Sequence, residues 1–191
     1  MTAKHGAIAL FVLLNVVVPG AARTAAAQAL PDGQAVADFD RRVKAYAALR
    51  DELEKGDAKL DDTAKPEDLV AAELALASKI QGARATAKRG DIFTPAIQAR
   101  FRQLLNPEMK GVRGQNTRGI IRDEGPGPGA FSFKINDAYP KEQPRGSVPA
   151  NILETLPRLP ENLEYRFVDK HLILRDTRAN LIVDYMPNAI P

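Results

Sequence analysis

Residues 159–186 read LPENLEYRFVDKHLILRDTRANLIVDYM, and their alternation decides how the C-terminal region folds. Leu163, Tyr165 and Phe167 alternate with Glu164 and Arg166, the period of a strand with one buried face. After Asp169-Lys170 the pattern resumes at Leu172 and Leu174. A tight turn at those two residues sets Phe167 opposite Leu172 and Tyr165 opposite Leu174, with Glu164 across from Arg175 on the other face. Opposite charges facing each other across a ladder contribute roughly 0.2–1 kcal/mol, so both faces support one register. Lys170 carries a positive-φ penalty in such a turn. A second turn over 176–179 places Leu174 against Leu181 and Leu172 against Val183, which keeps the apolar side chains on one face of a three-stranded meander.

Upstream the period changes. Val36, Phe39, Val43, Tyr46, Leu49 and Leu53 fall at steps of three and four, the stripe of an amphipathic helix ending near Gly56. Pro66 suits a first helical position, and Glu67 and Asp68 favour the positive end of the helix dipole, so a second helix is expected over 66–87, burying Leu69, Val70, Leu74 and Ile80. Thr94-Pro95 repeats the start signal with a capping hydroxyl, and Ile97, Phe101, Leu104 and Leu105 form a third helix that stops before Asn106-Pro107. The glycines and prolines of 111–129 read as loop, with a short strand at Ile120-Ile121. Phe131, Phe133 and Ile135 alternate as a half-buried strand, and one helical turn is expected over 151–156. The expected class is α+β, with about three N-terminal helices followed by a small antiparallel β-meander. The regions are a helical part (30–110), a Gly/Pro-rich connection with one strand (111–157) and the meander (158–191).

The first 29 residues have the three parts of an export signal: Lys4, the apolar run AIALFVLLNVVV (7–18), and small residues ending in Ala27-Gln28-Ala29. A bilayer-spanning helix needs about 20 apolar residues, and Pro19-Gly20 stops this run after twelve. Cleavage is expected after Ala29, with Ala27 as the other site, leaving a soluble periplasmic or secreted body without a transmembrane segment. Of 27 basic residues Lys4 and Arg23 leave with the leader, so 25 face 24 acids and the basicity of the chain nearly disappears. A nucleic-acid partner is therefore not expected. The absence of cysteine excludes disulfides, thiol nucleophiles, Cys-ligated metals and a lipidated cysteine.

The stretch 159–186 resembles the terminal hairpin module of the RcnB family of small periplasmic proteins: a Leu-Pro lead-in, a Tyr-Arg strand, a tight turn, an aliphatic strand and a closing NLIVD strand. That resemblance implies a role in nickel and cobalt homeostasis. The mature chain, including GDIFTP (90–95) and NLIVDYMPNAIP (180–191), is also similar to an uncharacterised family of secreted bacterial proteins, which implies no activity.

Few side chains offer bond-making chemistry. His5 leaves with the leader, so His171 is the one remaining imidazole, and in the register above it sits beside Val168 on the non-core side at a sheet end. None of Ser78, Ser132 and Ser147 lies in a G-x-S-x-G turn. The acid pairs Asp61-Asp62 and Glu67-Asp68 lack the spacing of a calcium loop. No catalytic residue, metal ligand or cofactor is assigned.

One charge asymmetry stands out. Residues 30–68 hold 11 acids and 7 bases, whereas 79–122 hold 10 bases and 2 acids. Within the basic segment Arg84, Lys88, Arg89, Arg113, Arg118 and Arg122 are the candidate anion- or partner-binding residues; alternatively the segment complements the acidic first helix inside the fold. The expected function is that of an exported, non-enzymatic envelope protein acting through protein or envelope-surface contacts, in stress or metal homeostasis. The alternative is a small periplasmic enzyme with an Arg/carboxylate site in a 111–124 loop, built from Arg113, Arg118, Arg122, Asp123 and Glu124.

Overall fold

The structure, a computed structural model, describes residues 32–55, 65–129, 132–144, 146 and 148–191. The expected export signal (1–29) and the acid pair Asp61-Asp62 lie outside the described residues. The fold is α+β: α1 (Asp32–Glu54), α2 (Pro66–Ala83), α3 (Pro95–Glu108), α4 (Gly111–Glu124) and α5 (Ala150–Thr155) precede β1 (Leu163–Val168), β2 (His171–Asp176) and β3 (Leu181–Met186). No helix among the described residues is long and apolar enough to cross a membrane.

The expected stripe of α1 buries Phe39, Val43 and Tyr46, which pack with α2, α3 and one face of the sheet in a single core. Phe101 stands at its centre: its ring centroid lies 5.3 Å from Phe39, 5.9 Å from Phe93 and 6.2 Å from Tyr165, edge to face in each case. Edge-to-face contact sets the positive rim of one ring on the negative face of the next. The second helix departs from expectation. Ile80 is buried, but Leu69, Val70 and Leu74 are exposed, because only the C-terminal half of α2 meets the body. The third helix starts at Pro95 as expected, yet Thr94 makes no side-chain cap and the helix runs through Pro107. Pro107 lies in the last turn.

The largest difference concerns 111–124, which forms α4 and neither a loop nor a strand at Ile120-Ile121. One of its glycines serves packing. A Cβ at Gly114 would lie 2.1 Å from the Met109 carbonyl carbon, so only glycine lets the first turn of α4 close against the end of α3. Phe131 lies outside the described residues, and 132–135 do not pair as a strand. Pairing occurs one step later: Asn136 and Tyr139 donate their N–H groups to the Ile182 and Asn180 carbonyls at 2.8 and 2.9 Å, and Ala138 bridges Leu181 along the free edge of β3. Asn136, at φ 65°, turns the chain into this contact.

The meander has the order β1-β2-β3. Its first hairpin has the expected register, with Phe167 opposite Leu172, Tyr165 opposite Leu174 and Glu164 opposite Arg175. Only Asp169 takes a positive φ, 53°, and Lys170 does not, which removes the expected penalty. The second register is shifted. Asp176 pairs with Leu181, Leu172 pairs with Met186, and an irregularity lies between Leu174 and Arg175. Asp176 stays in β2 because its Oδ1 accepts the Arg178 and Ala179 N–H groups at 2.8 and 2.9 Å, while Asn180 at φ 52° closes the turn. The apolar residues expected on one face, Tyr165, Phe167, Leu172, Leu174, Leu181 and Val183, nevertheless share the core face. Val168, Ile173 and Ile182 turn to the other side, where Tyr139, Phe133 and Tyr185 cover them in a second, smaller cluster.

On that side Arg175 donates to Glu164 at 2.6 Å and to the Asn180 amide oxygen at 2.7 Å, and its guanidinium lies 5.3 Å from the Tyr139 ring centroid. Burial alone would raise the Glu164 carboxyl, but hydrogen bonds from Arg166 and Arg175 overcome it and hold the group below the usual glutamate range. A lowered folded value contributes stability that is present above the unfolded value, about pH 4.3, and is lost as the pH falls through the folded one. Wild type is therefore expected to lose more melting temperature than Glu164→Gln between about pH 5 and pH 3 in parallel thermal scans. Equal losses would mean that the pair does not hold the strand.

Candidate functional site

Two carboxylates on the core face of the sheet are fully buried, Asp176 and Asp184. An isolated buried charge costs several kcal/mol unless hydrogen bonds replace its water. Asp176 Oδ2 accepts from the Tyr46 hydroxyl at 2.8 Å and lies 3.8 Å from Arg50 Nη1. Burial, then the neighbouring Asp176 charge, pushes the Tyr46 phenol well above its ordinary range, so this proton stays in place. Asp184 accepts the backbone N–H groups of Gly90, Ile92 and Phe93 at 3.0, 2.8 and 2.8 Å, and that of Tyr185 at 2.7 Å. The GDIFTP segment is thus fastened to the NLIVDYM strand through a single carboxylate. Asp176 ties α1 to the sheet, and Asp184 ties the loop between α2 and α3 to it. The sequence signal for Asp184 was available: a charge inside the apolar run LIVDYM requires a partner.

The six candidate basic residues divide into two kinds. Arg84 gives Nη1 to Asn136 at 2.8 Å and Nη2 to the Val183 carbonyl at 3.1 Å, and stacks 5.0 Å from the Tyr46 ring centroid. Arg118 donates to the Met109 carbonyl. Those two guanidinium groups are spent on the fold. Lys88 and Arg89 are exposed beyond α2, Arg89 lying 5.6 Å from the Tyr185 ring centroid, whereas Arg113 and Arg122 are exposed on α4. Arg122 pairs with its neighbour Asp123 at 2.9 Å. The fold thus divides the basic segment between two elements. Internal charge complementarity operates at Asp32–Arg100, 2.8 Å apart.

Helix α4 buries Gly114, Thr117 and Ile121. On the opposite side Val112, Asn116 and Ile120 line up at four-residue spacing, with Val112 75% and Ile120 39% exposed. Residues 110–122 hold four bases and no acid. His171 is half-buried, accepts the Asn188 N–H at Nδ1 over 3.2 Å and lies against the Phe133 ring. The structure gives it a packing role on the covered face, where the sequence suggested a solvated sheet end. Among the described residues no group of three or more His, Asp or Glu side chains is placed to hold a metal ion.

Two grooves flank the Leu156–Pro157–Arg158 strap. One, of about 500 Å³, lies between α1, α3 and the strap; the other, of about 760 Å³, lies between the strap and β1. The Tyr165 hydroxyl donates to the Pro157 carbonyl at 3.0 Å and ties the strap to the sheet. A third cavity of about 240 Å³ touches Arg118, Arg122, Asp169 and Lys170. No family model, curated protein or solved structure matches this chain.

Proposed function

We propose that the protein is exported through its N-terminal signal, works in the periplasm as a soluble non-enzymatic body, and acts by contact with an anionic surface of the cell envelope. The observation that carries this reading is the outward face of α4. Its exposed Val112 and Ile120 stand among Lys110, Arg113 and Arg122. Apolar side chains flanked by cations suit the boundary between anionic headgroups and acyl chains, and each basic residue near such a surface is worth about 1 kcal/mol. The likeness of 159–186 to the RcnB hairpin supports a place in envelope stress or metal homeostasis, exercised by contact. The alternative of an Arg/carboxylate site in 111–124 draws less support, since the segment is a helix and Arg118 donates to a backbone carbonyl.

Co-sedimentation with vesicles tests the reading. The protein should pellet with vesicles carrying anionic lipid, stay in solution with zwitterionic ones, and be released by salt on the order of 0.5 M. Arg113→Glu with Arg122→Glu should weaken binding at least tenfold. Equal binding to both vesicle types, or an unaffected double variant, contradicts the surface assignment.

A further inference from the structure

We propose that the groove between α1, α3 and the Pro157–Pro160 strap binds a small amphiphilic monoanion, a medium-chain alkyl carboxylate. Val36 and Val43 from α1, Leu104 from α3, and Leu156, Pro157 and Pro160 from the strap supply its apolar wall. The two prolines fix backbone φ, so the wall is largely formed before a ligand arrives. Its volume, about 500 Å³, falls within the usual range for small-molecule sites.

Charge selects the ligand. Lys44, Arg100 and Arg158 line the groove together with Asp40. Among the described residues Lys44 and Arg158 have no ion-pair or hydrogen-bond partner. Arg100 gives Nη1 to Asp32 at 2.8 Å, but its Nε is buried without an acceptor. A buried donor left unmade is costly, and a ligand oxygen would satisfy it. Three bases set against Asp40 and Asp32 leave one positive charge, which matches a single carboxylate and not a phosphate or a polyanion. The larger groove across the strap offers no such surplus, because its Arg158 and Arg166 are balanced by Glu154 and Glu164.

This site uses none of the α4 residues, so it stands or falls separately from the envelope-surface reading. Calorimetric titration of the purified protein with decanoate should give one-to-one binding, with affinity falling roughly fourfold per methylene removed, as octanoate would show. Decanol, equal in chain but uncharged, should bind at least tenfold more weakly. Arg100→Leu should cost at least tenfold, and because that change also removes the Asp32 pair, the surface variant Lys44→Gln with Arg158→Gln provides an independent reading and should cost a similar factor. No binding of decanoate at millimolar concentration, equal binding of decanol, or unchanged affinity in the Lys44/Arg158 variant would overturn the proposal. Tighter binding of acetyl-dileucine than of decanoate would assign the groove to peptide carboxyl termini and overturn the alkyl ligand.

Discussion

Asp184→Ala is expected to lower the unfolding free energy by about 3–5 kcal/mol, read as a fall in the urea midpoint at unchanged slope. The carboxylate takes hydrogen bonds from Gly90, Ile92, Phe93 and Tyr185, and Ile92 and Phe93 are themselves buried. Alanine leaves those N–H groups without an acceptor, at about 1–3 kcal/mol for each of the buried pair from Ile92 and Phe93 and less for the partly buried pair from Gly90 and Tyr185. Burial works against the carboxylate and pushes its carboxyl above the usual aspartate range despite the four donors. Relief of that desolvation offsets part of the loss, which is why the expected total is below the sum of the orphaned donors. Asp184→Asn keeps one accepting oxygen and should lose about half as much. The raised folded value also fixes a sign: the contribution of Asp184 is full below the unfolded aspartate value and declines as pH rises through the folded one. A cost under about 1 kcal/mol for alanine would mean that the GDIFTP segment is held by its side chains alone.

Phe101→Ala should cost about 3–5 kcal/mol. Its ring has no solvent exposure and touches rings from α1, the GDIFTP segment and β1. Those three elements surround the void from different directions, so none can close it without leaving its other contacts. Phe101→Leu should lose less than half as much, since it keeps most of the buried volume but not the ring geometry. A chemical-denaturation series over the two variants decides this, and equal losses would show that volume plays no part.

The first hairpin could be read from sequence because two independent patterns, apolar on one face and Glu164–Arg175 on the other, agreed on one register. The second could not, since its turn is set by Asp176 capping two backbone N–H groups and by Asn180 at positive φ, features that alternation does not report. Helix α4 was hidden because glycine speaks against helix locally, whereas tertiary packing at Gly114 demands it. The exposed half of α2 differs from the expected buried stripe because apolar periodicity does not say whether anything covers it. Arg84 and Arg118 illustrate the same limit for the site: charge was visible, but not which guanidinium groups the fold would use. The groove beside the strap draws on residues from 36 to 160, a spread that no local pattern connects.

The account rests on export of a contact-making body, and the N-terminus of the protein in its own cell tests that most directly. Intact-mass measurement on a periplasmic extract should find a chain beginning at Leu30, freed of the leader that ends in Ala27-Gln28-Ala29. An uncut chain of 191 residues starting at Met1 and confined to the cytoplasm would contradict it.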